Sequence, residues 1–261
     1  MKKRRFRAIL ADLDGTLYFK KKPFPWAAKT VQDWKEAGFL VRFLTNTDSK
    51  SAHTLHQELR EMGLCVPEEE LFSPVTALFE FLKANPGKRC YCLLSEELGG
   101  EFAACASQHF DEADYVIVGD FRENVRYSTL NAAFRYLMSG ADLIALQKGR
   151  YFVAPDGPSL DTGSFVALLE FASGKTARVF GKPSADFFQM ALNQLGCPPE
   201  EAIVIGDDTT TDIAGAREIG AYSVLVRTGK FKEADLLASP VRPNAVLDSA
   251  QDLLAHLGLS A

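Results

Sequence analysis

The stretch Arg7-Ala8-Ile9-Leu10-Ala11-Asp12-Leu13-Asp14-Gly15-Thr16 decides the fold. Its first half is an apolar run of strand length, and Gly15 ends the run by letting the chain turn sharply. Trp26, Ala27, Thr30, Val31 and Trp34 follow at helical spacing, with Gly38 where a helix C-terminal glycine belongs. A second β-rich run over 39–44 ends in Thr45-Asn46-Thr47-Asp48-Ser49, and a further helix is predicted from about 50 to 62, stopped by Gly63. Strand, helix and strand joined by short connections imply a right-handed crossover and a parallel sheet.

The C-terminal third repeats the alternation. Residues 177–180 read as a strand and 183–195 as a helix with Pro183 at its favoured first position. Strands at 202–205 and 222–226 enclose a helix over 212–219, and these pieces are expected to complete one open sheet. The middle has its own alternation, with strands at 90–94, 115–118 and 143–146 and helices at 129–138 and 164–172. The predicted class is therefore α/β: a Rossmann-like, doubly wound parallel sheet core built from 1–77 and 179–261, with a second α/β domain, 78–178, inserted into it.

Composition narrows the possible roles. The chain has 261 residues, 47% of them hydrophobic, enough to bury a sizeable core. Its net charge of −5 argues against a general nucleic-acid binder. No stretch approaches the roughly 20 apolar residues that span a bilayer. Arg7 and Asp12 interrupt the apolar run after the basic start, which argues against a secretory signal, so a cytoplasmic protein is expected. Cys65, Cys90, Cys92, Cys105 and Cys197 form an odd set with no CxxC pair and read as reduced, buried thiols. His53, His56, His109 and His256 show no ligand spacing tied to a motif.

Ligands of open α/β sheets bind outside the carboxyl ends of the strands, and the predicted strands end in reactive residues. Asp12 and Asp14 leave the first strand one residue apart and fit either a metal-dependent site or a capped turn. Thr45 and Asn46, just before a helix, fit a phosphate cradle or a helix cap. Lys182 precedes a predicted helix start, where the helix dipole disfavours a cation unless an anion sits there too. In Gly206-Asp207-Asp208-Thr209-Thr210-Thr211-Asp212, three acids fall within six residues. Capping accounts for one or two of them, and a hard cation with oxygen ligands accounts better for all three.

Taken together, DLDGT at 12–16, Thr45-Asn46, the lysine of Gly181-Lys182-Pro183 and GDDTTTD at 206–212 resemble the haloacid dehalogenase superfamily of phosphatases over almost the whole chain. The long insert resembles the α/β cap of the NagD-like branch, which includes p-nitrophenylphosphatase-like enzymes. The Gly149-Arg150-Tyr151 and Arg227-Thr228-Gly229-Lys230 segments are most similar to the phospholysine phosphohistidine inorganic pyrophosphate phosphatase subgroup. The resemblance implies Asp12 as nucleophile and Asp14 as general acid and base. It implies Mg2+ on the carboxylates of Asp12 and Asp207 and the main-chain carbonyl of Asp14, and phosphoryl contacts from Thr45, Asn46, Thr47 and Lys182. Thr16 is expected to fix Asp14, whose pKa neighbouring acids would raise; Asp208 and Asp212 would hold metal-bound waters or orient their loop. A small phosphorylated substrate is the expected partner, with no nucleic acid or membrane, and relatives of this type often pair through the cap. Lys148, Arg150 and Tyr151 are candidates for cap contacts or members of a solvated loop.

A dehalogenase would use the same nucleophile, but it needs neither magnesium nor Asp14, and the acids at 207–212 argue against it. A phosphomutase would share the core. A phosphate sensor without turnover is the alternative outside enzymology, and the intact nucleophile, acid and lysine argue against it.

Overall fold

The computed structural model describes residues 6–105, 113–154 and 156–259. The chain forms two compact units, one of Met1–Thr45, Ala52–Phe72 and Lys182–Ala261, the other of Asn46–Ser51 and Ser73–Gly181. The inserted unit thus extends a few residues beyond the expected 78–178 on each side and also takes in Asn46–Ser51.

The first unit opens with β1 (Ala8–Asp12), a small hairpin of β2 (Tyr18–Phe19) and β3 (Lys22–Pro23), α1 (Ala27–Glu36), β4 (Leu40–Leu44), α2 (Ala52–Glu61) and β5 (Leu71–Phe72). The second unit follows with α3 (Pro74–Ala84), β6 (Cys90–Leu93), α4 (Glu96–Glu101), β7 (Tyr115–Val118), α5 (Tyr127–Met138), β8 (Asp142–Ala145), β9 (Tyr151–Ala154), β10 (Gly157–Leu160), α6 (Thr162–Ser173) and β11 (Arg178–Val179). The chain then returns through α7 (Ala185–Leu195), β12 (Ala202–Gly206), α8 (Ala214–Ile219), β13 (Tyr222–Val226), α9 (Glu233–Ala238), β14 (Ala245–Leu247) and α10 (Leu253–His256).

The first unit's sheet has six strands in the order β14-β13-β12-β1-β4-β5, each neighbour pair parallel. Because β1 lies in its interior, all five of its residues are buried. A strand covered on both faces needs continuous apolar side chains rather than alternation, as Ala8-Ile9-Leu10-Ala11 provides. Helix α1 buries Ala27, Thr30, Val31 and Trp34, four of the five positions expected from spacing, while Trp26 is its N-cap and only partly buried; Val31 and Trp34 join Ile9, Phe43, Leu59 and Ile205 in one core. Burial of a side chain such as Phe43 contributes roughly 2–3 kcal/mol. The register sets Asp12 opposite Leu44 and Ala11 opposite Ile205, so three neighbouring strands end together.

The second unit has a parallel sheet ordered β11-β8-β7-β6 and the antiparallel hairpin β9-β10. Two expectations are corrected. Residues 177–180 do not join the core sheet: β11 pairs with β8, the Phe180 N–H donates to the Ala145 carbonyl at 2.9 Å, and Ala177 lies in the second unit's core. Pattern alone marks such a run as a strand without naming its partner. Helix α7 starts at Ala185, with Ser184 as N-cap, so Pro183 lies before the first turn rather than in it. No helix among the described residues is long and apolar enough to cross a membrane.

Candidate active site

Asp12 ends β1 and is 7% exposed. Its two carboxylate oxygens have different partners: Thr16 Oγ1 donates to Oδ2 at 2.9 Å, and Lys182 Nζ donates to Oδ1 at 2.5 Å. Thr16 therefore fixes Asp12, not Asp14 as expected. The amides of Thr16 and Leu17 both donate to the Leu13 carbonyl, a tight turn that carries the hydroxyl back over the strand end.

Gly15 makes this turn possible. Its φ is +101°, and a Cβ there would lie 2.0 Å from Asp207 Oδ2. Gly229, at φ +62°, approaches the same oxygen from the loop after β13, where a Cβ would lie 2.2 Å from it. The Lys230 amide donates to that oxygen at 2.6 Å, and Thr228 Oγ1 donates to the Gly15 carbonyl at 2.5 Å. Thr228, Gly229 and Lys230 are thus part of the site, although residue chemistry alone did not single them out. Their signal was the resemblance of Arg227-Thr228-Gly229-Lys230, just past an apolar strand, to the pyrophosphate phosphatase subgroup.

Lys182 is buried and also donates to Asp212 Oδ1 at 2.8 Å. Burial opposes its charge, but Asp12 and Asp212 more than offset that penalty and hold it protonated. Burial likewise raises the pKa of Asp212, with Lys182 opposing and Asp12 adding to the rise. For Asp207 burial again comes first, followed by repulsion from Asp12. Asp208 plays a local part: its Oδ1 accepts from the Thr210 amide at 2.7 Å and the Thr210 hydroxyl at 2.6 Å, capping the turn that leads into α8.

Asp14 is exposed, yet its carboxyl is held above the ordinary value. The cause differs from the expected one. Partial withdrawal from water comes first, Lys230 opposes it, and repulsion from Asp12 is a smaller addition. Thr45 is buried directly after β4, and its amide donates to the Phe72 carbonyl at 3.2 Å. Asn46 and Thr47 group with the second unit. There, a Cβ on Gly181 would come within 2.9 Å of Asn46 Oδ1, so a glycine before Lys182 leaves room for that amide.

Asp12, Asp207 and Asp212 are all buried, and each offers an oxygen within 4.8 Å of the others. Three carboxylates against one lysine leave a negative excess, and the donors are hard oxygens, so the set fits a divalent cation such as magnesium. Lys148 pairs with Glu170 at 2.8 Å, and Arg150 and Tyr151 are exposed. His53 and His56 bond to Glu68 and the Val66 carbonyl, His256 bonds to Tyr222, and His109 falls outside the described residues. All five cysteines are free, but only Cys90 and Cys197 are buried: Cys92 and Cys105 are partly exposed and Cys65 is exposed, which corrects their reading as buried thiols.

Comparisons with known proteins agree with this geometry. Residues 9–108 match the family model described as haloacid dehalogenase-like hydrolase, and 179–253 match a second model of the same kind. Mouse haloacid dehalogenase-like hydrolase domain-containing protein 2 is 37% identical, covering 89% of this chain and 88% of its own. The phospholysine phosphohistidine inorganic pyrophosphate phosphatase of Xenopus laevis is 35% identical over 96% of this chain and 92% of its own. The p-nitrophenyl phosphatase structure from Archaeoglobus fulgidus superposes with a TM-score of 0.88 at 29% identity, covering 96% of this chain and 99% of that one. The chain belongs to the haloacid dehalogenase-like hydrolases, in the NagD-like branch that includes the p-nitrophenylphosphatases.

Proposed function

We propose that this protein is a magnesium-dependent phosphatase acting on a small phosphomonoester through an aspartyl-phosphate on Asp12. The observation that carries the reading is the Asp12 carboxylate itself, buried at a strand end and held by Thr16 and Lys182 beside Asp207 and Asp212. Asp12 attacks phosphorus as the bond to the leaving oxygen breaks, and Asp14 gives that oxygen its proton. A water then attacks the phosphoryl group, loses a proton to Asp14, and releases inorganic phosphate as the Asp12 carboxylate re-forms. Partial burial raises the pKa of Asp14 above the ordinary carboxylate value, which favours the protonated form a general acid needs.

The carboxylates of Asp12 and Asp207 and the main-chain carbonyl of Asp14 would hold the magnesium, with Asp212 beside them. When bound, it neutralises charge between carboxylate and phosphoryl oxygens. Lys182 adds positive charge at the transferring group, and Thr45, Asn46 and Thr47 bind its oxygens. The inserted unit is the part of the chain available to select the group attached to phosphorus. Relatives whose printed names specify p-nitrophenyl phosphate, phospholysine, phosphohistidine or pyrophosphate support a phosphoryl substrate and leave its organic part open.

The test is p-nitrophenyl phosphate hydrolysis with and without magnesium, for wild type and Asp12→Asn. Turnover that requires magnesium and disappears in the variant is expected. A variant that turns over at the wild-type rate would sink the mechanism.

A further inference from the structure

The segment Asn46–Ser51 follows directly from β4, yet its contacts belong to the inserted unit. Among the hydrogen bonds that hold it there are three involving side chains. Ser95 Oγ donates to the Ser49 carbonyl at 2.8 Å, and the Ser51 amide donates to Glu97 Oε1 at 2.9 Å. The third is different in kind: Thr162 Oγ1, at the start of α6, donates to Asp48 Oδ2 at 2.6 Å, with Asp48 6% and Thr162 2% exposed. Water can replace the bonds of half-exposed groups, but it cannot replace one sealed inside the fold.

The surroundings fix the Thr162 end as firmly. Its amide donates to the Asp161 carboxylate at 2.9 Å, and Gln147 Nε2 donates to the same oxygen at 2.8 Å. A Cβ on Gly163 would lie 2.4 Å from the Lys148 carbonyl carbon, so the 147–149 loop packs directly on this helix start. A Cβ on Gly119 would lie 3.2 Å from the Asp48 carbonyl, which closes the other side.

We propose that Asp48 is a positioning residue: its bond to Thr162 fixes the backbone that carries Asn46 and Thr47, and so sets how tightly the site binds a phosphoryl group. This rests on the phosphatase reading for the role of Asn46 and Thr47. The group that does the fixing is an acceptor oxygen on a buried carboxyl. Burial raises its pKa to about 7, the bond from Thr162 opposes the rise, and Asp161 and Asp120 add to it. An asparagine of the same shape should therefore replace it, whereas alanine should not.

The experiment compares Asp48→Ala, Asp48→Asn, Thr162→Val and the double variant Asp48→Ala/Thr162→Val. It reads kcat, KM for p-nitrophenyl phosphate and the inhibition constant of inorganic phosphate. Asp48→Ala and Thr162→Val should each raise KM and the phosphate constant about tenfold, the size of one displaced hydrogen bond. Because the two act through one contact, the double variant should be no worse than the worse single variant. Asp48→Asn should stay within about threefold of wild type, since an amide oxygen still accepts from Thr162. The proposal is overturned if folded Asp48→Ala and Thr162→Val bind phosphate as wild type does, or if Asp48→Asn loses as much as Asp48→Ala. Amide hydrogen exchange over 46–51 gives a second readout, which needs neither turnover nor a folded alanine variant. Thr162→Val should speed exchange there, and unchanged exchange would equally overturn the proposal. A wild type without turnover that still shows this exchange difference would remove the phosphatase reading and leave the tether standing.

Discussion

At the scale of single residues, the buried carboxylates and Lys182 form a set in which each charge depends on the others. Removing the cation by Lys182→Met leaves Asp12 and Asp212 buried without their partner. Such a break costs about 3–5 kcal/mol, so a clear fall in urea midpoint is expected along with loss of turnover. Unchanged stability would mean that the carboxylates are not held as ions. Asp12→Asn removes the proposed nucleophile and one of the two carboxylates that hold Lys182, leaving Asp212, so turnover should fall by about 10⁴-fold or more with a smaller drop in urea midpoint than Lys182→Met.

Asp48 provides a pH test at the same scale. Its ordinary pKa is 3.8 and its folded value about 7, so between these the folded state holds a proton that the unfolded state has released. Stability from this group is therefore complete below about pH 4, declines as pH rises, and has been lost above about 7. Asp120 and Asp161 face the carboxyl and enlarge the effect, and the Arg122 guanidinium, paired with Asp120, moderates it. Asp48→Asn should thus gain stability relative to wild type at pH 8, less at pH 5 and none below about pH 4. A difference independent of pH would contradict a buried neutral carboxyl.

At the scale of elements, the turn after β1 and the loop after β13 meet at Asp207, and both need glycine for space as well as conformation. Gly63, after α2, is the control: its φ is +79°, but a Cβ there meets nothing within 4 Å. Gly63→Ala should cost only the left-handed penalty, about 1–2 kcal/mol. Gly15→Ala and Gly229→Ala should cost more and abolish turnover, because the added carbon collides with the Asp207 carboxylate. Parallel urea titrations and activity assays separate these outcomes; equal losses at all three positions would make backbone strain the whole effect. The same elements explain the strand ends, since the parallel register of β12, β1 and β4 is what lines up Asp207, Asp12 and Thr45.

At the scale of the molecule, magnesium binding should appear as stability of the first unit, which contains all three clustered carboxylates. A ligand at a hundred times its dissociation constant adds about 2.7 kcal/mol. Saturating magnesium should raise the melting temperature of wild type, and Asp207→Asn should remove most of that rise. An equal rise in the variant would place the ion elsewhere.

How much of this was legible beforehand follows from the range of the forces involved. The apolar runs, the helical stripe of α1, the turn at Gly15 and the acids at 207–212 are local patterns, and they alone determined an α/β class with reactive groups at strand ends. The partner of β11, the bond from Thr16 to Asp12, the clasp of Gly229 and Lys230 on Asp207, and the bond between Asp48 and Thr162 were decided only by tertiary structure. Spacing along the chain reports which face a residue takes, because backbone geometry repeats every two residues in a strand or 3.6 in a helix. It does not report which of several equally apolar or polar partners meets that face. Thr162 lies 114 positions from Asp48, and only the packed fold selects its hydroxyl as the donor.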